Sequence, residues 1–299
     1  MSRVILRPRL VSALAGCLLA SSAYAADPGT PATSANAAPR PRVGLVLAGG
    51  GAKGGAHVGV LKVLEEMHIP IDCIAGTSMG ALVGGGYASG IPADDLEKFV
   101  TGIDWKAVVG GVGVRDLQTI EQKRAGVTYS NDIEMGLRDK RVILPAGIVN
   151  TSNIEDLLRS YVAASRAQAD FDKLPIPYRA VATDMVSGKM VVLKDGDLAT
   201  AMRASMAIPG AFAPVMTEQY ILSDGGMVRN IPVDVARNLC ADVVIVVNLV
   251  EQELQREKLQ TATQLILRSS DVGIMANENL QLESLTDRDI RIDVIMGDI

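Results

Sequence analysis

Histidine is the scarcest reactive side chain here. His57 and His68 are the only two among 299 residues. Nowhere do Cys, His, Asp and Glu fall at metal-ligand spacing, so neither a metal nor another cofactor is expected. Aromatic residues make up only 3% of the chain, with a single tryptophan, Trp105. The core must therefore be aliphatic, built from Val, Ile, Leu and Ala. Lysine and arginine form no cluster and the net charge is −5, which argues against a nucleic-acid partner and against a polybasic membrane anchor. Long apolar runs are also missing. The one at residues 10–20 falls well short of the roughly 20 residues that a spanning helix needs.

That run has another explanation. Arg3, Arg7 and Arg9 precede it and Ala23-Tyr24-Ala25 follows it, which is the pattern of a cleaved signal peptide over residues 1–25. Its removal leaves 26 basic against 34 acidic residues, a net charge of −8. The product is expected to be exported, periplasmic or secreted. Leu14-Ala15-Gly16-Cys17 offers a competing lipobox, with the chain anchored through Cys17. Cleavage after Ala25 is preferred, because Leu18 and Leu19 continue the apolar run past that cysteine. Residues 26–41 are small and polar and read as a flexible leader. Cys73 and Cys240 then remain, and are expected to be two separate buried thiols.

With 48% hydrophobic residues, residues 42–299 can bury one large core. Strands and helices alternate along them. Strands are expected at 43–47, 71–75, 178–183, 190–193, 220–222, 243–248 and 290–296. Helices are expected at 54–67, 78–89, 93–101, 153–164 (with Asn153 as N-cap), 197–205 and 254–285, the last broken near Gly273. A hairpin is expected over 133–144, and a loop over 103–113. Short apolar strands alternating with helices indicate an α/β fold with a mostly parallel central sheet covered on both faces.

Three glycine-bracketed strings carry the chemistry. Gly49-Gly50-Gly51-Ala52-Lys53-Gly54 follows the first strand and opens a helix, an arrangement that aims backbone N–H groups at a developing negative charge. Its other reading, a dinucleotide fingerprint, wants an acidic residue at the end of the second strand, where this chain has Gly76-Thr77-Ser78. Gly76-Thr77-Ser78-Met79-Gly80 fits a nucleophile elbow, in which Gly76 and Gly80 permit a sharp strand-to-helix turn, Ser78 is lifted above the sheet and Met79 offers an N–H. An ordinary Gly/Ser turn is the plainer alternative. Ser223-Asp224-Gly225-Gly226 ends a third strand, and alone would pass for a hairpin turn.

The missing histidine decides among these readings. An α/β-hydrolase triad runs Ser, acid, His along the chain, and no histidine follows Ser78. His57 lies inside the first helix, directed at the glycine loop or at helix packing. A serine so placed needs another base, and a desolvated carboxylate can serve. Asp224, held close by Gly225 and Gly226, meets that need.

Together the three strings, with the run Arg203-Ala204-Ser205-Met206-Ala207-Ile208-Pro209, resemble the patatin-like phospholipases over nearly all of residues 42–298. The resemblance implies a three-layer α/β/α sandwich with a Ser–Asp dyad. Ser78 would be the nucleophile, Asp224 the base, and Gly49, Gly50, Gly51 and Gly54 the oxyanion loop. Lys53 stands where relatives often carry a basic residue. The implied partners are a lipid or acyl-ester substrate and, transiently, a membrane surface. The signal peptide resembles that of an exported bacterial branch, some of whose members add a C-terminal barrel. A longer natural product and a freestanding periplasmic enzyme both stay open. So does a non-catalytic lipid-binding or passenger domain of the same fold. The uncharged, glycine-hinged stretch 108–114 is either a lid that opens over the serine or a loop packed permanently on the core.

Overall fold

The computed structural model describes residues 39–102, 136–138, 141–143, 147–149, 151–163, 168–250 and 259–295. The expected signal peptide, nearly all of the leader, the 103–113 loop with its lid candidate, and the hairpin turn lie outside these residues. All of the architecture belongs to the unit Arg40–Ile299.

β1 (Val43–Leu47) leads through a single 3-10 turn, Gly51–Gly55, into α1 (Ala56–Glu66). Next come β2 (Cys73–Thr77), α2 (Met79–Ala88) and α3 (Ala93–Gly102). Then β3 (Gly136–Arg138) and β4 (Arg141–Ile143) pair antiparallel as the expected hairpin, and β5 (Gly147–Val149) and α4 (Thr151–Tyr161) follow. β6 (Tyr178–Asp184), β7 (Met190–Leu193) and α5 (Leu198–Ser205) continue the chain. Short strands β8 (Gly210–Phe212) and β9 (Val215–Met216) precede β10 (Ile221–Asp224). The remainder is α6 (Gly226–Arg229), α7 (Val233–Leu239), β11 (Val243–Val250), α8 (Ala262–Glu283) and β12 (Ile290–Ile295).

One eight-stranded sheet organises the molecule. Strands β12, β11, β1, β2 and β6 lie side by side and run parallel. β7, β10 and β9 add antiparallel pairings at the far side. Side-chain alternation along the parallel strands builds two cores. Leu45, Leu47, Ile74, Ile245 and Val247 pack with α1, α2, α4 and α5. Val46, Cys73, Ala75, Val244 and Val246 pack on the other face, with Val233, Val235 and Ala236 of α7. Because helices cover both faces, β1, β2 and β11 are buried nearly throughout. The result is the α/β class expected of such strands.

Four expectations are corrected. β2 begins at Cys73 rather than residue 71, because Asp72 turns aside to accept the Val43 N–H (2.7 Å) and to pair with both terminal nitrogens of Arg40. At its other end the strand continues through Gly76, opposite Leu47, and Thr77, opposite Val181. α4 starts at Thr151, so Asn153 lies inside the helix instead of capping it. α8 runs unbroken through Gly273; a single glycine at an exposed helix position costs only about 1 kcal/mol and does not end a helix. Finally, Cys73 and Cys240 are joined in a disulfide, with Cα atoms 6.2 Å apart, rather than standing as separate thiols. The end of α7 falls beside the start of β2, a juxtaposition that positions 167 residues apart do not announce.

Candidate active site

The strand pairings of β6 explain how two distant side chains meet. β7 occupies one edge of β6 along Ala180–Thr183. β2 and β10 must then share the other edge, end to end. β2 runs parallel to β6 and stops at Thr77, opposite Val181. β10 runs antiparallel and stops at Asp224, opposite Ala182. The C-terminal ends of β2 and β10 therefore arrive face to face, one residue apart along β6.

Ser78 follows Thr77 immediately and has φ 53° and ψ −122°, a conformation that a residue with a side chain rarely adopts. Its carbonyl accepts from the N–H groups of Ala81 and Leu82, starting α2. Close approach accounts for the flanking glycines. A methyl group on Gly80 would meet the carbonyl oxygens of Leu47 and Ala48, and one on Gly76 would meet the backbone of Gly80 and Ala81. The strand-to-helix turn is thus wedged against the end of β1, and only hydrogen side chains fit. The Ser78 hydroxyl donates to Asp224 Oδ2 at 2.7 Å. Asp224 Oδ1 accepts from the Gly226 N–H, also at 2.7 Å, which fixes the carboxylate plane.

Both residues are buried, and burial dominates the electrostatics. The Asp224 carboxyl is pushed up to about 6 by desolvation, against the opposing help of the Gly226 N–H and the Ser78 hydroxyl. Among the described residues, no cation contributes to that shift. A carboxylate poised there can take a proton from a hydroxyl near neutral pH.

His57 has a different task. It is fully buried in α1, and its Nε2 is 2.8 Å from the Ala48 carbonyl. Burial lowers its pKa to about 4, opposed by that contact, so the ring is neutral and braces the residue that follows β1. The Ser78 hydroxyl is directed at the carboxylate, not at an imidazole.

The glycine loop lies against the serine: a Cβ built on Gly49 would stand 3.2 Å from that of Ser78. Gly49 itself is clamped by Asn230, whose backbone carbonyl accepts the Gly49 N–H and whose side-chain Nδ2 donates to the Gly49 carbonyl, both at 3.2 Å. Its N–H is therefore engaged within the fold. Gly50 packs against Leu249. Gly51 takes φ +55°, where glycine carries no steric cost. Gly54 packs on the Met79 side chain, so it joins the loop to the elbow through contact. Gly50, Gly51 and Met79 stand at the starts of the 3-10 turn and of α2, positions whose N–H groups have no partner within the helix.

Ser205 holds elements that sequence reasoning had not linked. Fully buried at the end of α5, its hydroxyl accepts the Ser78 N–H (2.9 Å) and donates to the Val181 carbonyl (2.5 Å). Its carbonyl takes the Gly225 N–H, and the Ala207 carbonyl takes both the Asp224 N–H and the Ser223 hydroxyl. One short segment thus grips the serine and the aspartate loop together. The run 203–209 was visible in the sequence, but its function as a bracket was not. Asn230 carried no signal beyond lying six residues past Asp224.

Comparison with known proteins adds an independent finding. The sequence profile described as patatin-like phospholipase matches residues 45–237. An uncharacterised NTE family protein of Mycobacterium tuberculosis is 35% identical over 209 residues, which cover 70% of this chain and 49% of that protein. Human patatin-like phospholipase domain-containing protein 6 is 32% identical over 216 residues, covering 71% of this chain and 14% of that protein. The chain spans at most about half the length of these relatives. Among solved structures, VipD from Legionella pneumophila aligns with a TM-score of 0.47 at 17% identity, over 87% of this chain and 62% of that one.

Proposed function

The chain belongs to the patatin-like phospholipase family, and from that premise we propose that it is a lipid acyl hydrolase, cleaving carboxylic esters of phospholipids or lysophospholipids through Ser78 and Asp224. The observation that carries the reading is the 2.7 Å hydrogen bond from the Ser78 hydroxyl to a buried carboxylate, at a strained turn. Asp224 takes the hydroxyl proton as Ser78 Oγ attacks the ester carbonyl. The tetrahedral oxyanion is met by N–H groups of Gly50, Gly51 and Met79, the positions left once the Gly49 N–H is given to Asn230. Collapse breaks the ester bond, and Asp224 returns its proton to the departing alcohol. Water then attacks the acyl carbon while Asp224 takes its proton, and collapse releases the fatty acid as Asp224 returns that proton to Ser78 Oγ.

Ser78→Ala tests this directly. The variant should fold and turn over neither p-nitrophenyl esters nor phospholipid, and a fluorophosphonate should label the natural chain at Ser78. Full activity in the Ala variant, or labelling elsewhere, would count against the assignment. Export through residues 1–25 belongs to the same reading. The Cys73–Cys240 disulfide supports it, because such bonds persist in oxidising compartments.

A further inference from the structure

Helix α8 lies wholly beyond the matched residues 45–237, yet it reaches both halves of the site. Asn230 Nδ2 donates to the Gly49 carbonyl and also to Glu278 Oε1, at 2.5 Å. Asn277 Oδ1 accepts the Asn230 backbone N–H at 2.8 Å. Asn277 Nδ2 donates to the Gly226 carbonyl at 2.9 Å, on the residue whose own N–H holds the Asp224 carboxylate. Two adjacent residues of one helix are therefore tied to the glycine loop on one side and to the aspartate loop on the other.

We infer that Glu278 is a positioning residue, and that through Asn230 it sets the aim of the Gly49–Gly51 backbone at the ester carbonyl. The chemistry of the amide gives the reason. An asparagine side chain presents donors on one side and an acceptor on the other, and its orientation is fixed only by its partners. A carboxylate accepts only. With Glu278 in place, the NH2 group must face it, and the second hydrogen of that group is then delivered to the Gly49 carbonyl. Without Glu278, the amide loses one of its two orienting acceptors and is held only by the longer bond to the Gly49 carbonyl. If it turned over, its oxygen would confront the Gly49 carbonyl and the loop would be pushed from its place. The inference rests on the hydrolase reading for its catalytic consequence but not for its geometry.

Glu278→Ala and Glu278→Gln, made in the full chain, test it. The glutamine keeps an acceptor oxygen at the same reach. In hydrogen–deuterium exchange, the peptide spanning Gly49–Gly54 should take up deuterium faster in Glu278→Ala and at nearly the natural rate in Glu278→Gln. On a p-nitrophenyl ester, kcat should fall roughly tenfold in the alanine variant, with KM within about twofold, and recover for the most part in the glutamine variant. Unchanged loop exchange in Glu278→Ala would overturn the clamp. A kcat loss with no rescue by glutamine, or a change confined to KM, would overturn the positioning role. A natural chain that hydrolysed no ester would refute the hydrolase reading alone, and the exchange measurement would still decide the clamp.

Discussion

The elevated Asp224 carboxyl makes a prediction that can be checked in both rate and stability. If Asp224 is the base, kcat/KM should rise with pH along a single ionisation near 6. At pH 5 the ionised fraction, and with it the rate, should be about a tenth of the plateau. The stability effect has the opposite sign. A carboxyl held at about 6 in the fold and 3.8 as a free group binds its proton more tightly when folded, so its own contribution to stability is greatest at low pH and is lost as pH climbs from 3.8 through 6. The loss is on the order of 3 kcal/mol, at about 1.36 kcal/mol for each tenfold change in proton affinity. Asp224→Asn cannot ionise. It should abolish turnover while gaining up to roughly that amount of stability at pH 7, with the gain vanishing below pH 4. Urea unfolding of both forms between pH 3.5 and 8, beside a pH–rate profile on a neutral ester, supplies the measurements. A rate limb near 4 would refute the reasoning, because it would match His57, lowered to about 4, or an ordinary solvated carboxyl. An asparagine variant no more stable than the natural chain at pH 7 would refute the desolvation argument separately.

Ser205→Ala takes the acceptor from the buried Ser78 N–H and a donor from the Val181 carbonyl, and should cost roughly 1–3 kcal/mol in urea unfolding. Its kcat should fall more than KM rises, because the elbow loses its anchor; a stability loss with kcat untouched would limit Ser205 to the fold. Material recovered from the periplasm should begin at Ala26 and carry the Cys73–Cys240 bond, as mass spectrometry can establish. Because that bond closes a separation of 167 residues, its removal by Cys73→Ala with Cys240→Ala should lower stability by about 5 kcal/mol on chain-entropy grounds. A retained signal peptide, or an unfolding midpoint unmoved by the double substitution, would contradict these expectations.

What could be read from the sequence was local. The elbow and the glycine loop were legible because each is a strand, a glycine-framed turn and a helix in succession, and glycine is required where backbones nearly touch. Asp224 was reached by elimination, since no histidine follows Ser78. What escaped was nonlocal. The start of β2 moved because Asp72 is recruited by Val43 and Arg40 from the neighbouring segment. The disulfide depended on where α7 ends relative to β2. Ser205, Asn230 and Glu278 act by hydrogen bonds to residues 127, 181 and 48 positions away, and no periodicity records such partnerships. Gly273 misled because its open surroundings, invisible in the sequence, let the helix pass through.

The end-to-end meeting of β2 and β10 along β6 would make the proposed catalysis sensitive to a quantity usually left to folding, the alignment of one strand against its neighbour. β10 has only four residues, so few ladder bonds hold it in register. A slip of one residue would turn Asp224 to the opposite face of the sheet. A slip of two would restore the face but carry the carboxylate roughly 7 Å from the serine, far outside hydrogen-bonding reach. Chains misaligned in this way could keep both cores, both helical layers and a native-like circular dichroism spectrum, yet hydrolyse nothing. For such a protein, the fraction of active sites titrated by a fluorophosphonate would report strand alignment more sharply than any spectroscopic measure of folding.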